Sequence, residues 1–486
     1  MSSITVLIIA AGYFSLLLLF SKVIGGDSDN DAFFRGNRKS PWWAVAFGMI
    51  GASISGVTFV SVPGMVGKMQ MTYLQTCFGF LVGYILVAMV LLPLYYKMNL
   101  TSIYAYLNER FGTTSHRTGA FFFFLSKLIG ASIRLYLVCM ILQQYLLDSL
   151  SISFPITTFI LLLLIWLYTR KNGIKTIVWS DCLQTLVLLA ALMLIVLQLC
   201  NKMNLDILSC IQNIKESPHS RIFVFDDVSD KQYFWKQFIS GIFIVVVMTG
   251  LDQDMMQKNL TCKTLRQSQL NMCVNGLMYI PINFLFLCLG VLLYQFIAQN
   301  SINSPVLSDE LLPTLCASGT LGELTMLFFT LGLVAAAFSS ADSALTSLTT
   351  CMCVDILRKP ESVRLRQFVH PCIAACFFLF ILLVRALNNT SVIDAVYVVC
   401  GFTYGPLLGL FAFGLFTKYK PRESWVPYIC AISPLLCFVL DKVVPHYFHY
   451  HFGYELLMLN GFLTFLGLLV SSAKFRANNA CSDCNV

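Results

Sequence analysis

Charge is what this sequence has least of. Asp, Glu, Lys and Arg make up only 12% of its 486 residues, about half of the roughly 25% found in an ordinary globular domain. Histidines number six, and neither HExxH nor GxSxG occurs, which removes the zinc-helix and nucleophile-elbow hydrolases. Of 18 cysteines only Cys481 and Cys484 stand as CxxC, with no second pair. The others are scattered along apolar segments and read as small hydrophobes, which excludes a secreted disulfide scaffold. What the chain has in excess is apolar surface: 57% hydrophobic residues, about 277 in number, and a mean hydropathy of +0.76. A bilayer crossing takes about 20 mainly apolar residues, so this supply suffices for roughly thirteen helices. The chain is therefore expected to be an all-α polytopic membrane protein, and a soluble enzyme or nucleic-acid binder is excluded.

Apolar runs between charged breaks place spans near 4–20, 43–66, 73–95, 118–147, 153–169, 176–200, 233–255, 269–297, 322–352, 367–384, 392–417, 425–440 and 454–472. An odd count puts the termini on opposite sides. With the N-terminus outside, 22 of the 32 lysines and arginines fall in inner segments and 8 in outer ones, while Lys127 and Arg134 lie within the fourth span. That bias predicts an outside N-terminus and an inside C-terminus, and it makes the net charge of +8 a matter of topology. The first helix lacks a basic n-region and a small-residue cleavage site, so it is expected to be retained. The outer segment 201–232 reads as a cap or linker. Asn388 and Asn389 form sequons in another outer loop, and His446, His449 and His451 read as surface residues. The short tail after the last span predicts no appended signalling domain.

An ionisable side chain at mid-bilayer costs about 2.5–3.5 kcal/mol, so each one inside a span requires a partner, water or a function. Here these are Lys127, Arg134, Asp181, Asp252, Asp254 and Asp342. Lys127 lies near the inner end of its span and reads as a snorkelling or structurally paired residue. Arg134 is a turn or more deeper. The second span carries Gly48, Gly51, Gly56, Pro63 and Gly64 among Ser53, Ser55, Thr58 and Ser61, which predicts a helix broken at membrane depth, where free carbonyls coordinate cations and free N–H groups hold anions. The alternative is a small-residue packing face. Five spans later Gly241 and Gly250 interrupt another helix beside Asp252 and Asp254, and two such helices suggest an inverted repeat. In the ninth span Ala336, Ser339, Ser340 and Ser343 fall on one helical stripe. Such a stripe is either hydroxyl glue between helices or an oxygen-rich face for a hard cation. Gly405 and Pro406, after Tyr404, mark a kink and a hinge in the eleventh span.

The stretches GASISGVTFVSVPG (51–64), LTSIYAYLNERFG (100–112), SDCLQT (180–185), LDQDMMQK (251–258), SSADSALTS (339–347) and TYGPLLGL (403–410) together resemble the sodium:solute symporter family, and the similarity runs over nearly the whole chain. The resemblance implies a single transmembrane transporter domain over 1–486 with a leucine-transporter-like inverted repeat. It would comprise an extra N-terminal helix at 4–20, repeats at 43–200 and 233–417, two C-terminal helices at 425–472 and a cytoplasmic tail at 473–486. It implies Na+ as the coupling ion and no enzymatic activity. By motif, the main sodium site would use carbonyls of Gly51, Ile54 and Ala336 with hydroxyls of Ser339 and Ser340. Gly51 stands where the family often has alanine, which is harmless for a carbonyl ligand. A second site would use Asp181, Ser339, Asp342, Ser343 and Ser55, with Asp342 replacing a serine of the sialic acid branch.

For the solute, the resemblance points to Ser53, Ser55, Thr58, Gln75, Arg134, Asp252 and Gln253, with Gly250, Tyr404, Gly405 and Pro406 at gates or hinges. Met248 and Val247 replace the aromatic that stacks on sugar in the glucose branch. An arginine fork reads a carboxylate through two parallel bonds, so Arg134 favours a small organic anion, a carboxylate or acidic sugar; its alternative is an internal pair with Asp252. The expected setting is a cell membrane, the inner membrane in a bacterium, with solute and lipid as partners and no nucleic acid or obligate protein. Proton coupling through Asp181 or Asp342, and a transporter-like sensor, stand as rivals.

Overall fold

The computed structural model describes residues 3–24, 30–171, 173–302, 307–387, 392–448, 450 and 452–482. Asn388, Asn389, His449, His451 and Cys484, named above, lie outside these. Every regular element longer than an isolated bridge is helical among the described residues, as expected where apolar segments must satisfy their backbone groups internally.

Among the described residues, seven helices are long and apolar enough to cross a bilayer: Tyr73–Lys97, Thr113–Leu147, Ile174–Lys202, Leu265–Gln299, Glu323–Ile356, Val363–Leu387 and Glu423–Tyr447. Two bent pairs, Trp42–Ser53 with Gly56–Met69 at 54° and Phe234–Gly250 with Gln253–Asn259 at 69°, bring the number to nine if each pair is one crossing. Phe154–Thr169, Gly405–Phe416 and Leu456–Ser472 are apolar but shorter. Nine is fewer than the thirteen crossings expected from hydropathy alone.

The centre of the bundle is Glu323–Cys351, the serine helix, whose residues are buried on nearly all sides. It packs along Ile174–Lys202 and touches both halves of the first broken helix. The N-terminal helix Ser3–Ile24 joins this core through Phe14, whose ring lies edge-on to Tyr168 at 6.2 Å and Phe338 at 5.9 Å.

One glycine acts differently from expectation. Gly241 does not interrupt its helix, since Phe234–Val245 is regular across it. It allows close approach to Tyr73–Leu86: a Cβ on Gly241 would sit 2.4 Å from the Thr76 carbonyl oxygen, and one on Gly79 would sit 2.1 Å from that of Phe238. Such glycine crossings bring helix backbones together without relying on a hydrophobic driving force.

Segment 201–232 packs as a cap. Its helix Ile207–Glu216 is held by Gln295 Nε2 donating to the Asn213 carbonyl at 2.9 Å. Further along, Gln70 Nε2 donates to the Pro218 carbonyl at 3.1 Å and the Met71 amide to that of Arg221 at 3.0 Å. The cap therefore rests on the end of Gly56–Met69.

Candidate functional site

The first broken helix stops at Ser53. Ile54 (φ −89°, ψ 86°) and Ser55 (φ −74°, ψ 169°) leave helical space, and the chain re-enters a helix at Gly56. No backbone amide donates to the carbonyls of Gly51, Ala52, Ser53 or Ile54 among the described residues. A helix end normally leaves such orphan groups for side chains, water or ligands. These four lie inside the protein. The break faces the serine helix: a Cβ on Gly56 would be 3.5 Å from Leu333 Cδ1 and 3.8 Å from the Ala337 amide nitrogen.

The stripe of hydroxyls divides on inspection. Ser339 Oγ donates to Asp181 Oδ1 at 2.6 Å and Ser343 Oγ to Asp342 Oδ1 at 3.1 Å. Ser340 Oγ is buried with no hydrogen-bond partner among the described residues, although an unmade buried hydrogen bond costs about 1–3 kcal/mol. Gly51, Ile54, Ala336, Ser339 and Ser340 thus sit on packed neighbouring elements, with four free carbonyls on one side and an unused hydroxyl on the other. The donor set is all oxygen, the chemistry that suits a hard cation. Gly51 is more constrained than the resemblance implied: a Cβ there would sit 2.0 Å from Thr185 Oγ1, so alanine would not be harmless in this chain.

Asp181 and Asp342 are both buried on the packed helices Ile174–Lys202 and Glu323–Cys351, but Ser55 lines a separate cavity. The surprise is Lys258. The charge count placed it in an inner loop, yet it is 1% exposed and its Nζ pairs with Asp181 Oδ2 at 2.8 Å. Asp181 is thereby committed on both oxygens, to Lys258 and Ser339. Asp342 is committed as well, with Tyr168 donating its hydroxyl to Oδ2 at 2.6 Å.

The cavity has a volume of about 100 Å3 and is lined by Ser53, Ser55, Thr58, Tyr84, Lys127, Arg134, Met248, Thr249 and Asp252, among others. A single water needs roughly 10–15 Å3 on such a measure, so the space suits a small solute. Its electrostatics follow from two cations treated differently. Lys127 Nζ lies 3.1 Å from Asp252 Oδ2 and 2.6 Å from Asp254 Oδ2. Of the two readings offered for it, structural pairing and snorkelling, the double pair is the first. Asp252 also accepts from the Tyr404 hydroxyl at 2.8 Å and caps the Asp254 amide at 2.8 Å. Arg134 faces the cavity with no carboxylate within 4 Å among the described residues, so the Arg134–Asp252 pair held open above does not form.

Two expected solute contacts are elsewhere. Gln75 spends its amide on the Gln232 carbonyl at 2.9 Å and the Val224 amide at 3.1 Å, pinning the cap. Gln253 accepts from the Ile103 amide at 2.9 Å and donates to the Thr101 carbonyl at 3.0 Å. Neither lines the cavity.

At the second break Leu251 and Asp252 are non-helical, one residue beyond Gly250, whose carbonyl accepts from the Tyr95 hydroxyl at 2.9 Å. A wide π turn, Val246–Gly250, leads into it; such turns recur at functional sites. The third interruption is the single residue Tyr404, between Val392–Thr403 and Gly405–Phe416, with Pro406 in the following first turn. Sequence reasoning missed Tyr84, whose hydroxyl lies 3.4 Å from Ser53 Oγ, and the role of Lys258. For Lys258 a signal existed: Asp254 and Lys258 are four apart, the spacing of a helix that continues inward.

The sequence model of the sodium:solute symporter family matches residues 33–422. The human sodium/iodide cotransporter is 26% identical over 436 residues, which cover 83% of this chain and 65% of that protein. A sodium/sialic acid symporter of Aliivibrio fischeri is 24% identical over 465 residues, covering 89% and 87%. Among solved structures, a substrate-bound, outward-open Na+-coupled sialic acid symporter superposes with a TM-score of 0.79 at 20% identity, over 97% of each chain.

Proposed function

The chain belongs to the sodium:solute symporter family, and from that premise we propose that it is a sodium-coupled secondary symporter that imports a small organic anion by alternating access. The observation that carries the solute class is Arg134, a guanidinium turned into a polar cavity with no carboxylate among the described residues to neutralise it. A charged group at this depth is sustained by a counter-ion or water, and the guanidinium fork matches a carboxylate. Ser53, Ser55, Thr58 and Thr249 supply hydroxyls around the rest of the anion. The solutes for which these relatives are named, iodide and sialic acid, are both anions. The modest volume favours a small carboxylate over a bulky acidic sugar.

Sodium is assigned to the carbonyls of Gly51, Ile54 and Ala336 with Ser339 and Ser340 hydroxyls, supported by the free carbonyls and the unpartnered Ser340 oxygen. Bound there, it would hold the first broken helix against the serine helix and so shape the adjoining cavity. Coupling is then a difference in sodium affinity between outward and inward states. Each ion entering down 100 mV contributes about 2.3 kcal/mol, before its concentration gradient. One sodium per cycle is the stoichiometry we favour, because Lys258 already supplies the cation at Asp181. The second reading is proton coupling through Asp342, which accepts from the hydroxyls of Tyr168 and Ser343.

The proposed architecture has thirteen crossings, reached when the three shorter apolar helices and Ser3–Ile24 join the nine, in two inverted repeats (43–200 and 233–417) with the N-terminus outside. Burying Lys258 removes one cation from the inner count and leaves the charge bias in place. A thermal-shift screen of small carboxylates against purified protein tests the function. A solute at 100 times its Kd stabilises by about 2.7 kcal/mol. The expected result is a shift that needs sodium and disappears in choline; a hit insensitive to the cation contradicts sodium coupling.

A further inference from the structure

Two cysteines that play no part in the site above are placed as a pair. Cys200 lies near the outer end of Ile174–Lys202 and Cys210 in the cap helix Ile207–Glu216, and their sulfurs are 3.2 Å apart. Cys210 is buried, Cys200 half-buried. The intervening turn is fixed at both ends: the Leu205 amide donates to the Cys200 carbonyl at 2.9 Å, and Asp206 caps the cap helix by accepting from the Ser209 amide at 3.2 Å. A disulfide needs sulfurs about 2.05 Å apart, little more than an ångström closer, a distance that side-chain rotation can supply without moving either helix. Membrane proteins encounter oxidising conditions on their outer face, where disulfides form and persist.

We propose that Cys200 and Cys210 form a disulfide that staples the base of the outer cap to the Ile174–Lys202 helix. The proposal rests on the outward placement of residues 201–233. The oxidant is an exogenous disulfide, either oxidised glutathione or a protein disulfide. One cysteine thiolate attacks it, forming a mixed disulfide and releasing the first thiol. The second thiolate then displaces the other thiol and closes the Cys200–Cys210 bond. One S–S bond breaks and one forms; the two cysteines give up two protons and two electrons, and the oxidant leaves as two thiols. The closed loop spans only ten residues and includes the turn that sets the direction of the cap helix, so oxidation fixes the cap's base, and reduction frees it.

The test is peptide mass spectrometry of the full chain, quenched with N-ethylmaleimide in its membrane before denaturation. A Leu208→Cys reporter in a Cys200→Ser/Cys210→Ser background, treated with an impermeant maleimide on intact cells, accompanies it; position 208 is 77% exposed. The expected result is a linked Cys200–Cys210 peptide, lost on reduction, together with a labelled reporter. The melting temperature of the unmutated chain should fall by several degrees on reduction, and that of Cys210→Ser should not. Both cysteines carrying maleimide, or a link from Cys210 to the neighbouring Cys288, with the reporter labelled, overturns the disulfide alone. A reporter labelled only after permeabilisation overturns the orientation on which the proposal rests.

Discussion

Replacing Arg134 by glutamine keeps a polar, hydrogen-bonding side chain in the cavity and removes only the charge and the fork. The magnitude follows from the surroundings. Among the described residues the guanidinium has no carboxylate within 4 Å, whereas Lys127, its neighbour in the lining, is neutralised by Asp252 and Asp254. Losing Arg134 therefore leaves the cavity without its uncommitted positive charge while the protein keeps its internal pairs. Truncating one partner of a desolvated charge pair costs about 2–5 kcal/mol, equivalent to roughly 30-fold to several-thousand-fold in affinity at 1.4 kcal/mol per decade. Arg134→Lys keeps the charge without the two parallel bonds and should fall between the two. The assay is initial-rate uptake of the carboxylate identified by the thermal-shift screen, in proteoliposomes over a range of solute concentrations, with sodium saturating. The half-saturation constant should rise steeply for Arg134→Gln and less for Arg134→Lys. An unchanged constant in the glutamine variant, with folded protein confirmed by its melting temperature, would refute the assignment of Arg134 to the solute.

The other predictions concern the ion site and the clasp beneath the cavity. Ser340→Ala removes the one unpartnered hydroxyl of the stripe and should raise the sodium concentration for half-maximal uptake several-fold, consistent with about 1 kcal/mol for one oxygen contact; unaltered sodium activation would count against this site. Lys258→Met strands Asp181 without its cation and should destabilise by about 3–5 kcal/mol, with Asp181→Asn in the same chain restoring part of the loss in a double-mutant thermal-melt cycle. Tyr404→Phe deletes the 2.8 Å bond to Asp252 and should change the maximal uptake rate more than the half-saturation constant, since the tyrosine links the hinge to the second break without lining the cavity. Gly51→Ala should lower the melting temperature, because the new methyl group meets Thr185 Oγ1.

Local chemistry was readable from sequence, and long-range pairing was not. The first break was legible because glycine, serine and proline crowd one stretch, and the chain leaves helical space at Ile54 and Ser55, within that stretch. The second was legible to within a residue of Gly250. Gly241 misled, because a glycine that admits a neighbouring backbone and one that interrupts a helix look alike until its partner Gly79, 162 positions earlier, is known. Lys258 misled for the same reason: a lysine ending an apolar run reads as a loop cation unless Asp181 is known to face it. Gln75 and Gln253 are amides whose partners are backbone groups in distant loops, and no spacing rule reveals those. The spacing of the serine stripe was correct, while the division of labour along it, two hydroxyls bonded to carboxylates and one free, required coordinates.

The most direct measurement is solute accumulation in proteoliposomes containing the purified chain, driven in turn by an inward sodium gradient with choline inside and by an inward proton gradient without sodium. Concentrative uptake of a small carboxylate under the sodium gradient, absent under the proton gradient and weakened in Ser340→Ala, is the predicted result. Accumulation that follows the proton gradient and ignores sodium would contradict the assignment of the broken helix and Ser340 to a sodium ion.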